Sequence, residues 1–529
     1  MTIRYRINSL TSSGGDRITL PPTGVTCIVG GNNVGKSQLL SEIARSAQTD
    51  EASLARLTIS NIEVERPTGT VEETDAWLRE RAIEFDMPPG SVSTYAIRLG
   101  GTNQTAEELH GWFSSIQGPA YLGNASSFFV HHATAGSLAN YAAGHLSGDD
   151  FGTLNAPLSK LFRDGDLEDA LAQATFDTFG QRLILDRVDV QIALRVGEIQ
   201  VPVPAINRPT KEYAEAVAAL PLLDSQGDGL RSFVGLAVQL LAERPNVFLV
   251  DEPEAFLHPG QARAVGRWLG TQSMASDVQL IIATHDRDIV LGLLQCASTV
   301  PINIVRVARE GRSTHFAQLD PNEVQAVWDS PVLRYSNVLQ GLFHQKVVIC
   351  ESDADCRFFG AALDELAISL GRRSESDDVL FVPAGSKNRV GAMASSLAEL
   401  NVRAEAIVDF DALRLKADVK GIVIGVGAEW STEIDELYAK FIKSPNATQS
   451  WDVLKKSGLS AMPAGEPYAA AVALIKALQL ARVHVISVGE VEDFDKSINL
   501  HGAGWVSQAL EGRVHVAPPV SEFVEGLLD

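Results

Sequence analysis

Cysteine is scarce. The four thiols, Cys27, Cys296, Cys350 and Cys356, lie far apart in 529 residues except for the last pair. Their spacing gives neither the C-x-x-C pairs of a zinc ribbon nor a disulfide framework, so the composition fits a reducing compartment. Long apolar runs are also missing. The longest mainly apolar stretch, Phe233 to Ala242, falls well short of the roughly 20 residues a membrane helix needs. The opening MTIRYRINSL has no apolar core of the signal-peptide kind. The expectation is a cytoplasmic protein with no membrane partner. Basic residues are in deficit as well: 44 Lys and Arg face 66 Asp and Glu, a formal charge of −22. Such a balance argues against a general nucleic-acid coat, which needs many cations facing phosphates, but it does not exclude a local basic groove. It also suits a protein that holds hard divalent cations on carboxylates.

The length exceeds what one core sustains and suggests about three compact units. The clearest motif opens the first of them. Ile28-Val29-Gly30-Gly31-Asn32-Asn33-Val34-Gly35-Lys36-Ser37 places a Gly-x4-Gly-Lys-Ser loop between a short apolar strand and a helix expected from about Lys36 to Ala47. In such a loop small residues let backbone N–H groups surround the α and β phosphates. Lys36 then faces the β and γ phosphates, and the Ser37 hydroxyl serves Mg²⁺. Gly30, Asn32, Asn33, Gly35, Lys36, Ser37 and Gln38 are the candidate ATP contacts.

Asn246 to Val250 is a continuous apolar run that ends in Asp251-Glu252, as a strand buried on both faces would. At the carboxyl end of a parallel sheet, Asp251 is placed to hold Mg²⁺ and Glu252 to polarise the attacking water. A second run, Gln279 to Ala283, leads to Thr284-His285-Asp286, which puts His285 within reach of the γ-phosphate region. His258, in a Leu-His-Pro turn, is expected to be structural. Between these motifs, Ser225-Gln226-Gly227 precedes a helix expected from about Leu230 to Leu241, a second anion-binding helix start. The order of phosphate loop, Ser-Gly helix, Asp-Glu strand and His strand resembles the ABC-class ATPase head. That resemblance implies a head-to-tail pair of subunits with Ser225 and Gly227 reaching the partner's ATP. The loop departs from the usual Leu-Ser-Gly-Gly-Gln wording.

The pattern restarts after residue 343. Gln345 to Cys350 is a buried run ending in Glu351, with Asp353 and Asp355 at the start of a helix. Ala404 to Val408 ends in Asp409-Phe410-Asp411, and Val483 to Val488 ends in Gly489-Glu490-Val491-Glu492. Acids at three strand ends make an oxygen-donor site suited to Mg²⁺ or Mn²⁺. Asp493 and Asp495 read as a solvated helix start. Arg372, Arg373, Lys387, Arg389, Arg403, Arg414, Lys416 and Lys420 flank these segments and form a candidate phosphate-facing rim.

The strand-end Glu followed by Asp-x-Asp resembles the Toprim fold, although Ser352 stands where Gly is usual. An ABC-class head followed by Toprim resembles the OLD (overcoming lysogenisation defect) family of ATP-dependent nucleases, over nearly the whole chain, and its late Gly-x-x-Glu element is matched by Gly489 and Glu492. The resemblance implies that Glu351, Asp409 and Asp411 hold one ion and that Asp355 with Glu490 or Glu492 holds another. It also implies a basic residue near the cleaved phosphate, for which Lys387 and Lys496 are the candidates. The expected architecture is α/β: an ABC-class ATPase domain over 1–315 with a helical insertion at about 105–220, a connecting segment over 316–343, and a Toprim domain over 344–529. The expected function is ATP-regulated, metal-dependent cleavage or nicking of DNA by a homodimer or higher homo-oligomer, in defence against phage or mobile DNA and with a possible second defence protein. The alternatives are the same nuclease acting on RNA, including tRNA, and an ATP-switched scaffold whose Toprim domain is inactive. No tyrosine-nucleophile domain points to a topoisomerase.

Overall fold

A computed structural model describes residues 3–81, 83–85, 92–96, 104–114, 117–142, 146–147, 157–189, 191–205, 208–329, 337–399, 401–443 and 450–528. The chain forms two compact units, Met1–Ser330 and Pro331–Asp529.

The first unit is built on a six-stranded sheet in the order Ser313–Leu319, Ile302–Glu310, Gly24–Val29, Gln279–Ala283, Val247–Asp251, Val130–Thr134. The last five strands are parallel, and the first returns antiparallel as an edge hairpin. The central strands are buried along nearly their whole length, which explains why they read as unbroken apolar runs. A smaller antiparallel sheet pairs Arg6–Ser12 with Arg17–Thr19 and Ile59–Glu65.

Two expectations about this unit need correction. The stretch 105–220 is not simply a helical insertion: Val130–Thr134 pairs in parallel with Val247–Asp251, so this segment contributes a strand to the core sheet. The two histidines in that strand interrupt its apolar pattern and hide it. The same stretch also carries Leu183–Asp186 and Gln191–Val196, paired antiparallel, beside the helix Gly165–Phe179. The boundary at 315 cuts the strand Ser313–Leu319, which belongs to the first unit through the hairpin turn at Gly311. Residues 143–145 and 148–156 of the expected insertion, and 330–336 of the connecting segment, lie outside the described residues.

The second unit has a four-stranded parallel sheet in the order Val379–Pro383, Lys346–Cys350, Arg403–Val408, Val483–Val485. Val483–Val485 is shorter than the expected strand to Val488, because the chain turns at Gly489 with φ 127°. On one side the helix Asp353–Leu370 packs Phe358 and Phe359 against Trp505, Phe494 and Phe523. Between the third and fourth strands the described residues include the α-helices Lys416–Gly425, Thr432–Phe441, Trp451–Ser457 and Glu466–Leu480. Among the described residues no helix is long and apolar enough to cross a membrane.

Candidate functional site

In the first unit the phosphate loop follows the Gly24–Val29 strand and leads into the helix Lys36–Gln48. Gly30 has φ 150°, and a Cβ there would lie 2.4 Å from the Val307 carbonyl oxygen, so only glycine fits beneath the loop. Gly35 has φ 101° and Asn33 φ 59°. Asn32 and Asn33 are exposed. Lys36 Nζ donates to the carbonyls of Gly30 at 3.0 Å and Gly31 at 2.9 Å, within its own loop. Burial lowers the Lys36 pKa, against the raising pull of Glu252, Glu254 and Asp251. Gln38 turns to Glu42, donating from Nε2 to Oε1 at 2.9 Å. Buried Glu42 also collects the N–H groups of Leu57, Thr58 and Ile59, so this part of the helix is tied to the strand beside it.

The Asp-Glu strand meets the loop directly: Ser37 Oγ donates to Asp251 Oδ1 at 3.1 Å. Burial raises the Asp251 pKa, opposed by the Ser37 hydrogen bond. Glu252 has φ 52°, a left-handed conformation uncommon for a side-chain-bearing residue and found where a site demands it. His285 Nδ1 lies 3.3 Å from Glu252 Oε1 and 3.2 Å from Glu254 Oε1. Sequence reasoning missed Glu254. Its signal was a third acid in the same Asp-Glu-Pro-Glu stretch. It also missed His132, whose charge interacts with Asp251 from the neighbouring strand.

Ser225 ends a short 3-10 turn and donates to the Leu222 carbonyl at 2.7 Å, while Gly227 precedes the helix Asp228–Val238. The helix therefore starts earlier than expected and continues as a π turn over Gln239–Glu243. Among the described residues neither Ser225 nor Gly227 hydrogen-bonds to the phosphate loop of its own chain.

In the second unit three acids converge. Glu351 follows the strand Lys346–Cys350, Asp409 follows Arg403–Val408, and Asp411 lies in the 3-10 turn Phe410–Arg414. One carboxylate oxygen from each lies within 4.8 Å of the others. The Asp409 N–H donates to Glu351 Oε1 at 3.2 Å, and the Phe410 N–H to the Gly489 carbonyl at 2.9 Å, so all three strand ends are tied together. Burial raises Glu351 to about 7 and Asp409 to about 9, and the neighbouring carboxylates push both the same way. Acids this close cannot all ionise cheaply without a cation.

The other expected ligands have protein partners. Asp355 is buried and forms a reciprocal cap with Ser352, whose hydroxyl accepts from the Asp355 N–H. This explains serine in place of glycine, since Ser352 has φ −129° and its side chain starts the helix. Burial raises Asp355, followed by the fields of Glu492 and Glu490. Glu490 pairs with Lys455 Nζ at 2.9 Å, and Glu492 accepts from the Gly502 N–H. Asp355, Glu490 and Glu492 sense one another but do not join the three-acid group.

Of the two expected basic residues, Lys387 reaches the cluster, with Nζ 2.9 Å from Asp411 Oδ2. Lys496 does not: it bonds the Lys456 carbonyl and lies by Asp493. Lys455 was not anticipated. It feels the fields of Asp411 and Asp409, yet nothing in its local sequence marks it, because the helix Trp451–Ser457 is brought to the site by tertiary packing. Gly489 allows that packing, since a Cβ there would lie 2.4 Å from the Lys455 carbonyl oxygen. Besides Lys387, three members of the expected basic rim are already engaged: Arg372 with Glu375, Arg403 with Glu405, and Lys416 with Asp435.

A family model described as "AAA domain, putative AbiEii toxin, Type IV TA system" matches residues 192–291. The matched segment contains Gly227, Asp251, Glu252 and His285 and stops short of both the phosphate loop and the second unit. No curated protein matches the chain. Among solved structures, an Smc head bound to the C-terminal winged-helix domain of ScpA is 14% identical, covering 60% of this chain and 100% of that one, with a TM-score of 0.36. The SMC head domain from Thermotoga maritima is 14% identical over 60% and 100%, TM-score 0.30. CbiO1 from Clostridium perfringens, part of an ABC transporter complex, is 17% identical over 62% and 92%, TM-score 0.30. The matched AAA-domain segment carries Asp251, which meets the phosphate loop through Ser37, as an ATPase domain in an α/β fold would arrange them.

Proposed function

We propose that the chain is an ATP-regulated, divalent-metal-dependent endonuclease or nickase of the OLD type. The observation that carries this reading is the convergence of Glu351, Asp409 and Asp411 from adjacent strand ends. The donor set fits the metal: hard carboxylate oxygens, half-buried, with Glu351 and Asp409 held protonated-prone by burial and crowding. Glu351, Asp409 and Asp411 would hold Mg²⁺ or Mn²⁺, with Asp355, Glu490 and Glu492 as the candidate donors behind them. Bound there, the ions would supply a nucleophilic water and charge stabilisation for phosphodiester cleavage. Lys387 and Lys455 bring positive charge to the same edge, where a phosphate would approach.

The ATPase head supplies the regulation. Gly30, Asn32, Asn33, Gly35, Lys36 and Ser37 would cradle ATP, with Ser37 and Asp251 serving its Mg²⁺, Glu252 and His285 acting on the γ-phosphate side, and Gln38 supporting the loop through Glu42. Ser225 and Gly227 would close on the ATP of a second copy. DNA as substrate and a defence role follow the resemblance to the OLD family. Mn²⁺ titration followed by electron paramagnetic resonance tests the metal site: saturable binding in the parent, weakened at least tenfold in Glu351→Ala, is the expected result. Equal Mn²⁺ binding by the two proteins would overturn the assignment.

A further inference from the structure

We infer that Glu254 is a positioning residue that fixes the ring of His285 for its work at the nucleotide, an inference that rests on reading the first unit as an ATPase. Glu254 lies in the turn after the Asp251-Glu252 strand end and is 6% exposed. Its Oε1 accepts from Thr284 Oγ1 at 2.8 Å and from the His285 N–H at 3.1 Å, and it lies 3.2 Å from His285 Nδ1. Thr284 Oγ1 in turn accepts from the Asp286 N–H at 2.9 Å, so the turn carrying His285 is organised around this one oxygen.

The geometry points to one ring tautomer. A backbone N–H can only donate, so Glu254 Oε1 is an acceptor, and with His285 Nδ1 3.2 Å from it a hydrogen on Nδ1 is favoured over a lone pair there. Glu252 Oε1, 3.3 Å from the same nitrogen, is also an acceptor and reinforces the assignment. Nε2 is then the ring atom left for a nucleotide, on a side chain that is 51% exposed. A purely structural role fits poorly. Burial raises the Glu254 pKa, and Glu254 Oε2 is buried without a hydrogen-bond partner. Such a group costs stability unless something else requires it.

The test uses the full chain labelled with ¹⁵N-histidine, with His285→Gln identifying the signal, and needs no ATP turnover. The parent should show the Nδ1–H form, Glu254→Ala should move the ring toward Nε2–H, and Glu254→Gln, which keeps an acceptor oxygen, should retain Nδ1–H. An Nε2–H ring in the parent, or an unchanged signal in Glu254→Ala, would overturn the inference. Steady-state ATP hydrolysis adds a second arm. Glu254→Ala should lower kcat roughly 10- to 100-fold, as loss of an outer partner does, with KM unchanged. In a His285→Ala background the same substitution should have no further effect, whereas independent losses would contradict action through His285. A parent that hydrolyses no ATP yet shows the Glu254-dependent tautomer would count against the ATPase reading and still support the positioning.

Discussion

The N–H of Asp409 donates to Glu351 Oε1 over 3.2 Å, so the end of one parallel strand holds the acid at the end of its neighbour. The bond lowers the Glu351 pKa, yet burial and the nearby Asp411 and Asp355 still raise it to about 7. The backbone of the sheet thus holds acids together that repel when ionised, which is the arrangement a cation would relieve.

The cluster makes stability depend on pH. Asp409, at about 9, and Glu351, at about 7, are both raised above their ordinary values of 3.8 and 4.5. A raised acid stabilises the fold while protonated, and that contribution is lost as pH rises through the folded-state value. The metal-free protein should therefore melt at progressively lower temperature between about pH 5 and pH 9. Asp409→Asn should flatten that slope and stabilise the fold at pH 8 by at least about 1 kcal/mol, the equivalent of roughly one pKa unit, which raises the melting temperature there. A scanning-fluorimetry slope unaffected by the substitution would contradict the buried-acid account.

A different buried acid should behave in the opposite way. Glu405 is 2% exposed and sits between Lys346 Nζ at 3.0 Å and His484 Nε2 at 2.9 Å, while Lys346 also bonds the Leu527 carbonyl. Burial alone would raise Glu405, but His484 and Lys346 bring it down to about 2. Its contribution is present above its ordinary value of 4.5 and lost as pH falls toward 2. Glu405→Ala strands Lys346 in the core and should cost about 3–5 kcal/mol in urea unfolding of the second unit. A loss below about 1 kcal/mol would show that the network is incidental.

How much of this was legible depends on where each signal lies. Strands buried on both faces and ending in acids declared themselves, because the apolar run and the acid are contiguous: Asp251, Glu351 and Asp409 all sit at such ends. Val130–Thr134 did not, because His131 and His132 break its pattern although the strand completes the core sheet. Lys455 was illegible and Glu254 only faintly marked, for related reasons. Their importance comes from partners in other segments, Glu490 and the Asp409 and Asp411 field for one, Thr284 and His285 for the other. Proximity in sequence misled in the case of Lys496, only four residues beyond Glu492 but bonded to the Lys456 carbonyl.

The two lysines at the acid edge should separate from the one that lies elsewhere. Lys387→Met and Lys455→Met should each slow cleavage roughly 10- to 100-fold, a loss of a few kcal/mol of charge stabilisation. Lys496→Met should change it less than about threefold, a surface-charge effect. Initial rates on one labelled duplex compare the three. The reverse order would return the phosphate-facing role to Lys496.

Self-association should follow nucleotide at the head. Glu252 is held at φ 52° next to His285, the position from which it would act on water, so Glu252→Gln should bind ATP without consuming it. The variant should sediment as a dimer or larger assembly with ATP and revert on ATP removal, and Gly227→Asp should abolish the shift. Sedimentation unchanged by ATP would refute the head-to-tail pairing.

Cleavage of supercoiled plasmid by the purified chain tests the central claim most directly, with Mg²⁺ or Mn²⁺, with and without ATP, beside Asp409→Ala and Lys36→Ala. The expected result is metal-dependent nicking or linearisation that Asp409→Ala abolishes while ATP turnover survives, with Lys36→Ala retaining the metal site but losing the response to ATP. Cleavage by Asp409→Ala at the parent's rate would contradict it.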